Sequence, residues 1–149
     1  MRPQPTSQSL DRLRFPLQLL GKLGELLDLA PVHRLEQGLA RRINSGLTLA
    51  LSCDGADVLT IEGVAHGDAL HPVQAAFIAH DGFQCGFCTP GQIMSAIGLI
   101  QEGQTGDDPE RVREAMSGNL CRCGAYAGIL EAVLDAQDRL REANQRRSA

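Results

Sequence analysis

The chain has 149 residues, enough for one ordinary domain or two small ones. Hydrophobic residues make up 43% but aromatic residues only 3%, with no Trp, so the core must be aliphatic, which favours helices over a β-sandwich. A net charge of −4 argues against general nucleic-acid binding, and no apolar run approaches the ~18 residues of a membrane span.

Residues 1–40 open Pro-, Gln- and Ser-rich, and Asp11, Arg12 and Arg14 interrupt them before any signal-peptide-like apolar stretch. The following "LQLLGKLGELLDLAPVHRLEQGLA" has leucines at three- and four-residue spacing, which predicts one or two short amphipathic helices broken at Pro31. His33 reads as an exposed loop residue. Residues 41–64, "RRINSGLTLALSCDGADVLTIEGV", predict strand, turn and strand: Leu47, Leu49 and Leu51 alternate, Asp54-Gly55 turns, and Val58 to Ile61 forms the second strand. The twin arginine, apolar stretch and cysteine loosely resemble an export or lipoprotein signal, but the apolar part is short and lies about 40 residues into the chain. With no leader, the expectation is a cytoplasmic protein; a periplasmic one would need a leader this sequence does not show. In the cytoplasm five cysteines are ligands or reduced thiols rather than disulfides.

From His66 onward the pattern is helical. His71-Pro72 starts a helix that ends before Gly82, Pro90 opens a second closed by Gly103, and Asp107 or Asp108 caps a third from Pro109 to Gly118. Tyr126 leads into a longer fourth helix with Ile129, Leu130, Val133, Leu134 and Leu140 on its buried stripe. Arg139, Arg141, Arg146 and Arg147 alternate with acids there and read as a solvated face. Four helices with short connections predict an antiparallel bundle.

Four of the five cysteines form two tight pairs, Cys85 and Cys88 in "QCGFC" and Cys121 and Cys123 in "LCRCGAY". Each pair lies in the loop before a predicted helix, after the first and third helices, so the bundle brings both loops to one end. Four thiolates in one place suit tetrahedral zinc or an iron–sulfur cluster. The single residue inside "CRC" is tight for one tetrahedral ion, and helix starts with Gly86, Gly91 and Gly124 suit an anionic cluster. Iron–sulfur is the favoured reading, with zinc and a disulfide still open.

"HPVQAAFIAHDGFQCGFCTPGQIMSA" with "MSGNLCRCGAYAGI" resembles the helical [2Fe-2S] domain of the iron–sulfur small subunit of molybdenum hydroxylases, the xanthine oxidase and aldehyde oxidoreductase family. The resemblance covers residues 58–134 almost without a gap and is closest to the bacterial aldehyde oxidoreductase type with separate subunits. It implies that Cys85, Cys88, Cys121 and Cys123 hold one [2Fe-2S] cluster, and that Gln84 and Cys123 approach the pterin of a molybdopterin cofactor in a partner chain. It implies a molybdenum-binding large subunit and a FAD-binding medium subunit as partners, with no nucleic acid or membrane. The expected role is electron transfer away from a molybdenum site that oxidises aldehydes or N-heterocycles; nothing in the chain suggests independent catalysis. The competing reading is a zinc-binding or degenerate helical docking subunit without redox function.

The expected fold class is mainly α: a four-helix [2Fe-2S] domain over 65–149, a β remnant of a ferredoxin-like domain over 41–64, and an unassigned, partly helical N-terminus over 1–40, either aberrant or disordered. Relatives carry a second cluster in that ferredoxin-like domain, signed by C-x4-C-x2-C and a fourth cysteine. Here no cysteine precedes Cys53, and the fourth ligand's position falls on Gly46, which cannot bind iron. Cys53, seven residues on, reads as a lone thiol. A replaced N-terminus, a shifted reading frame or a gene-model artefact would each explain residues 1–40; translating the alternative frames of the coding DNA tests the second. The electron relay is expected to be interrupted.

The remaining candidates read as structural. His66, His71 and His80 are expected to cap helices or face solvent, and Phe77, Met94 and Met116 to fill core. Phe83 and Phe87 are expected to shield the cluster. Arg122 either balances its charge or is simply exposed. Thr89-Pro90-Gly91 starts a helix, and Ser117 and Asn119 satisfy turn backbone groups.

Overall fold

The computed structural model describes residues 13–14, 31–36, 39–54, 56–103 and 106–148. Its N-terminal region carries four antiparallel strands, β1 (Leu13–Arg14), β2 (Pro31–Glu36), β3 (Leu39–Asn44) and β4 (Asp57–Leu59), in the order β1-β4-β2-β3. Pro31 is the first residue of β2, where its missing N–H disturbs no ladder interior.

This corrects two expectations. Pro31–Glu36, with His33, and the first two residues of β3, Leu39 and Ala40, are strand rather than helix or loop, because β2 pairs on both sides, with Val32 opposite Ile43 and Arg34 opposite Val58. Long-range pairing overrides the leucine spacing; the earlier part of the helical expectation, residues 17–30, lies outside the described residues. Leu47, Leu49 and Leu51 form no strand either. Ser45–Leu47 and Ala50–Cys53 are 3-10 turns, and the three leucines are 85%, 77% and 74% exposed. Short polar side chains divert the backbone locally. Asn44 Oδ1 accepts the Gly46 N–H at 3.2 Å, Thr48 Oγ1 donates to the Asn44 carbonyl at 2.7 Å, and Ser52 Oγ donates to the Leu49 carbonyl at 2.7 Å. The following strand is real but ends at Leu59, and Ile61 opens another 3-10 turn, Ile61–Gly63.

The helices follow the sequence closely. Helix α1 (Pro72–Ala79) starts at a capping box: His71 Nδ1 accepts the Val73 N–H at 3.2 Å, and Gln74 Oε1 accepts the His71 N–H at 2.9 Å. Helix α2 (Thr89–Glu102) ends at Gly103, whose φ of 64° is the left-handed cap that glycine adopts without strain. Helix α3 (Pro109–Met116) is capped by Asp108, whose Oδ1 accepts the Glu110 N–H at 3.0 Å. Helix α4 runs Tyr126–Ser148 and buries Ile129, Leu130 and Val133 together with Ala132 and Ala136, while Leu134 and Leu140, expected on the same stripe, are only half-buried.

Every residue of α2 from Gly91 to Leu99 is buried, so α2 is the central element of the helical region. Phe77, Met94, Leu99, Val112 and Val133 are each at most 1% exposed within one continuous core. The sheet is fastened to this core by Arg42. Its guanidinium forms a two-pronged bond with Glu102, Nε to Oε1 at 2.9 Å and Nη2 to Oε2 at 2.8 Å. Nη1 also donates to the carbonyls of Ala115, at 3.4 Å, and Ser95, at 3.5 Å. Arg42, the second residue of the twin arginine, thus fastens β3 to α2 and to the end of α3. No helix among the described residues is long and apolar enough to cross a membrane.

Candidate metal centre

The two cysteine motifs occupy the α1–α2 and α3–α4 connections. In the first, Gly86 takes a φ of 83°, and the Thr89 N–H closes the turn on the Gly86 carbonyl at 3.3 Å. This delivers Cys88 to the helix entrance as the N-cap of α2. In the second, Gly124 takes a φ of 75°, and its N–H bonds the Cys121 carbonyl at 3.2 Å. Only glycine holds these left-handed turns without strain. The α4 start packs so closely on the approach to Cys85 that a Cβ on Gly128 would overlap the carbonyl oxygens of His80 and Asp81.

The thiols meet across the motifs in two pairs. Cys85 neighbours Cys123, and Cys88 neighbours Cys121. Among the described residues no three His, Cys, Asp or Glu side chains converge as a single-ion site. Two thiol pairs, each drawing one cysteine from each motif, suit a two-iron cluster in which each iron takes two thiolates better than one tetrahedral zinc.

Backbone N–H groups are aimed at the sulfurs. The Ala125 N–H reaches Cys121 Sγ at 3.5 Å, joined by those of Cys123 and Gly124. With the Ala125 N–H as main cause, the Cys121 thiol is held below its ordinary pKa against burial. Cys85 is also lowered, first by the Phe87 N–H and then by the Cys123 thiol. Burial, then the Cys121 thiol, pushes Cys88 up to about 11. At Cys123 the Cys85 N–H pulls down, but the Cys85 thiol, burial and neighbouring charge outweigh it, and the net direction is upward. Each pair therefore holds one thiol readily ionised and one that resists ionisation. Two irons would relieve that resistance by supplying positive charge.

A set of protein bonds fixes the second motif independently of any ligand. Gln92 Nε2 donates to the Asn119 carbonyl at 2.9 Å, and Asn119 Nδ2 donates to Ser95 Oγ at 2.5 Å. Beyond the loop, the Cys121 N–H donates to Tyr126 Oη at 2.8 Å. Asn119 thus does more than satisfy its own turn, which it also does through Met116. Gln92, Ser95, Tyr126 and Gly128 were not singled out by spacing. The available signal was the polar series Thr89, Gln92, Ser95 at intervals of three in an otherwise apolar helix.

The other sequence candidates fall as follows. Gln84 is exposed directly beside Cys85, and Cys123 is exposed at the same end. Phe77, Met94 and Met116 are core, at 1%, 0% and 7% exposure. His71 caps α1, and His80 Nε2 lies 3.0 Å from Asp135 Oδ2. Arg122 is exposed. Phe83 and Phe87, expected to shield the cluster, are 38% and 68% exposed among the described residues. Cys53 is buried beside Ser52 and far in sequence from the four thiols.

Residues 60–134 match the family described as [2Fe-2S] binding domain. This chain belongs to that family. It is 54% identical to the aldehyde oxidoreductase iron-sulfur-binding subunit PaoA of Escherichia coli O157:H7, over 64% of this chain and 48% of that protein. It is 48% identical to the nicotine 6-hydroxylase small subunit of Paenarthrobacter nicotinovorans, over 68% of this chain and 61% of that protein. The structure is similar to quinoline 2-oxidoreductase from Pseudomonas putida 86, with a TM-score of 0.64 at 36% identity, covering 74% of this chain and 67% of that one. The chain therefore spans about half to three-fifths of the length of these curated relatives. The [2Fe-2S] binding domain itself comprises all four cysteines of the two motifs and three complete helices with part of α4.

Proposed function

We propose that this chain is an electron-transfer subunit that takes electrons from a molybdenum–pterin site in a partner chain oxidising aldehydes or N-heterocycles. The observation that carries the reading is the pairing of four thiols from two motifs, under a cradle of N–H groups, inside a [2Fe-2S] binding domain. When bound, the cluster supplies reversible one-electron transfer. Cys85 with Cys123 would hold one iron and Cys88 with Cys121 the other. The N–H groups of Phe87, Cys123, Gly124 and Ala125 stabilise the negative charge on the thiolates. Gln84 and Cys123, exposed at the thiol end, are the residues that meet the partner's pterin. Phe87, at 68% exposure, and Leu120, at 81%, supply the apolar rim on which that partner docks.

The chain carries one cluster, since Gly46 offers no ligand and Cys53 is buried away from the motifs. We place the protein in the cytoplasm, where thiols awaiting a cluster stay reduced. Iron and sulfide analysis with EPR on anaerobically co-purified protein tests the reading. One [2Fe-2S] signal is expected, abolished by Cys121→Ser and retained by Cys53→Ser. A colourless zinc protein would overturn the redox function, and two distinct cluster signals would overturn the single site.

A further inference from the structure

We propose that His80 is a positioning residue for the first cysteine motif: its imidazolium, held between Glu131 and Asp135 of α4, sets the turn that delivers Cys85 to Cys123 and so governs how firmly the cluster is kept. This rests on the function proposed above. His80 ends α1 as its C-cap. Its Nε2 lies 3.0 Å from Asp135 Oδ2, and its Nδ1 lies 3.7 Å from Glu131 Oε2. Asp135 is gripped in turn by Arg139, whose Nε donates to Oδ1 at 2.8 Å and whose Nη2 lies 2.6 Å from Oδ2. Arg139 first, and then His80, holds the Asp135 carboxyl below its ordinary pKa, so it meets the ring as an anion.

Only four residues separate His80 from Cys85. The first of them, Asp81, takes a φ of 50°, a left-handed turn that a residue other than glycine keeps when its surroundings impose it. The Gly82 N–H closes that turn on the Phe77 carbonyl at 2.9 Å. The carbonyls of His80 and Asp81 lie against Gly128, so the turn is seated on α4. Gly128, Glu131, Asp135 and Arg139 follow at spacings of three and four and share one face of that helix. The same helix begins three residues after Cys123. The two thiols that pair are therefore both referred to α4, Cys123 at its start and Cys85 through the His80 turn. Helix α1 carries no charged side chain, and α2 carries only Glu102, which Arg42 holds. The charged groups facing the ring are thus Glu131, Asp135 and Arg139 from α4, with exposed Asp81 beside it. A ring with one N–H serves one carboxylate; as the imidazolium it presents a donor and a positive charge to both.

The test is the rate at which EDTA strips iron from the cluster-loaded full chain, followed by visible absorption from about pH 6 to about pH 8.5, in wild type, His80→Gln, Asp135→Asn and Arg141→Ala. At about pH 6, His80→Gln, which reaches Asp135 without a charge, is expected to lose iron about three- to fivefold faster than wild type. At about pH 8.5, where the wild-type ring is neutral, the two rates are expected to converge. Asp135→Asn should behave as His80→Gln does. Arg141→Ala, which removes an ion pair with Asp107 elsewhere on α4, should match wild type across the range. Variants of His80 and Asp135 that match wild type throughout, a variant-to-wild-type ratio that does not change with pH, or an Arg141→Ala that shows the same pH-dependent ratio, overturns this inference alone. A wild-type chain that takes up no cluster overturns the proposed function and this inference together.

Discussion

The helical and sheet regions of this chain solve the problem of burial in opposite ways. The helical region is closed on itself: α2 is buried along nine consecutive residues, and its largest core side chains are nearly inaccessible. From Arg42 to Val64, the part whose side chains are described, the chain buries only Cys53, Ala56 and Val64 as apolar side chains and leaves three leucines in a row of alternate positions exposed. Among the described residues, Arg42 ties this part to α2 and α3 through Glu102 and the carbonyls of Ser95 and Ala115. The cysteine site rests on the half with the closed core.

Three changes sharpen or break this contrast, and they differ in size. Gly128→Ala strikes the helical region where it is tightest, driving a methyl group into two backbone carbonyls that cannot rotate away. Overpacking of this kind costs about 1–3 kcal/mol. Because the strain falls on the approach to Cys85, thermal unfolding should show a lowered midpoint together with reduced iron content. Arg42→Met should cost less, about 1–2 kcal/mol, from lost bonds to a half-exposed carboxylate and two carbonyls. Amide hydrogen exchange should then rise in β2–β4 while α2 and the cluster's visible absorption stay as in wild type. Equal loss of protection in both regions would refute the independence of the helical half.

The smallest effect is set by pH. Burial, and then the charge of His66, lowers the His71 pKa in the folded chain. The unfolded chain therefore binds a proton more readily, and stability rises with pH through the window that ends near the ordinary histidine value of about 6.5. Acidification below that window protonates Nδ1 and removes the acceptor for the Val73 N–H. The cap is worth about 1 kcal/mol. Urea midpoints measured from pH 7.5 downward should fall in wild type below about 6.5, and this part of the fall should vanish in His71→Asn, whose side chain still caps but does not titrate.

What was legible in the sequence was local. Asp108-Pro109, His71-Pro72 and Gly103 each fix a helix end within a few residues, and the structure places the ends there. The two cysteine motifs were legible because loop order alone brings them to one end. The misreadings were also physical. The "GLTLAL" stretch alternates as a strand does, but Asn44, Thr48 and Ser52 bond the backbone within four residues, and no alternation pattern reports that competition. The strand at Pro31–Glu36 was hidden in part because one of its two pairing partners, β4, lies about twenty residues further on. Arg42 and Gly128 were illegible for the same reason: each matters only through residues more than forty positions away.

The bonds that anchor Asn119 carry one more consequence. Gln92, Ser95 and Tyr126 hold the Cys121 loop with nitrogen and oxygen atoms of the protein alone, and no metal is needed to close that network. The position of the Cys121 loop is thus a property of side chains outside the cysteine motifs, and a zinc finger, whose shape comes from its ion, offers the opposite case.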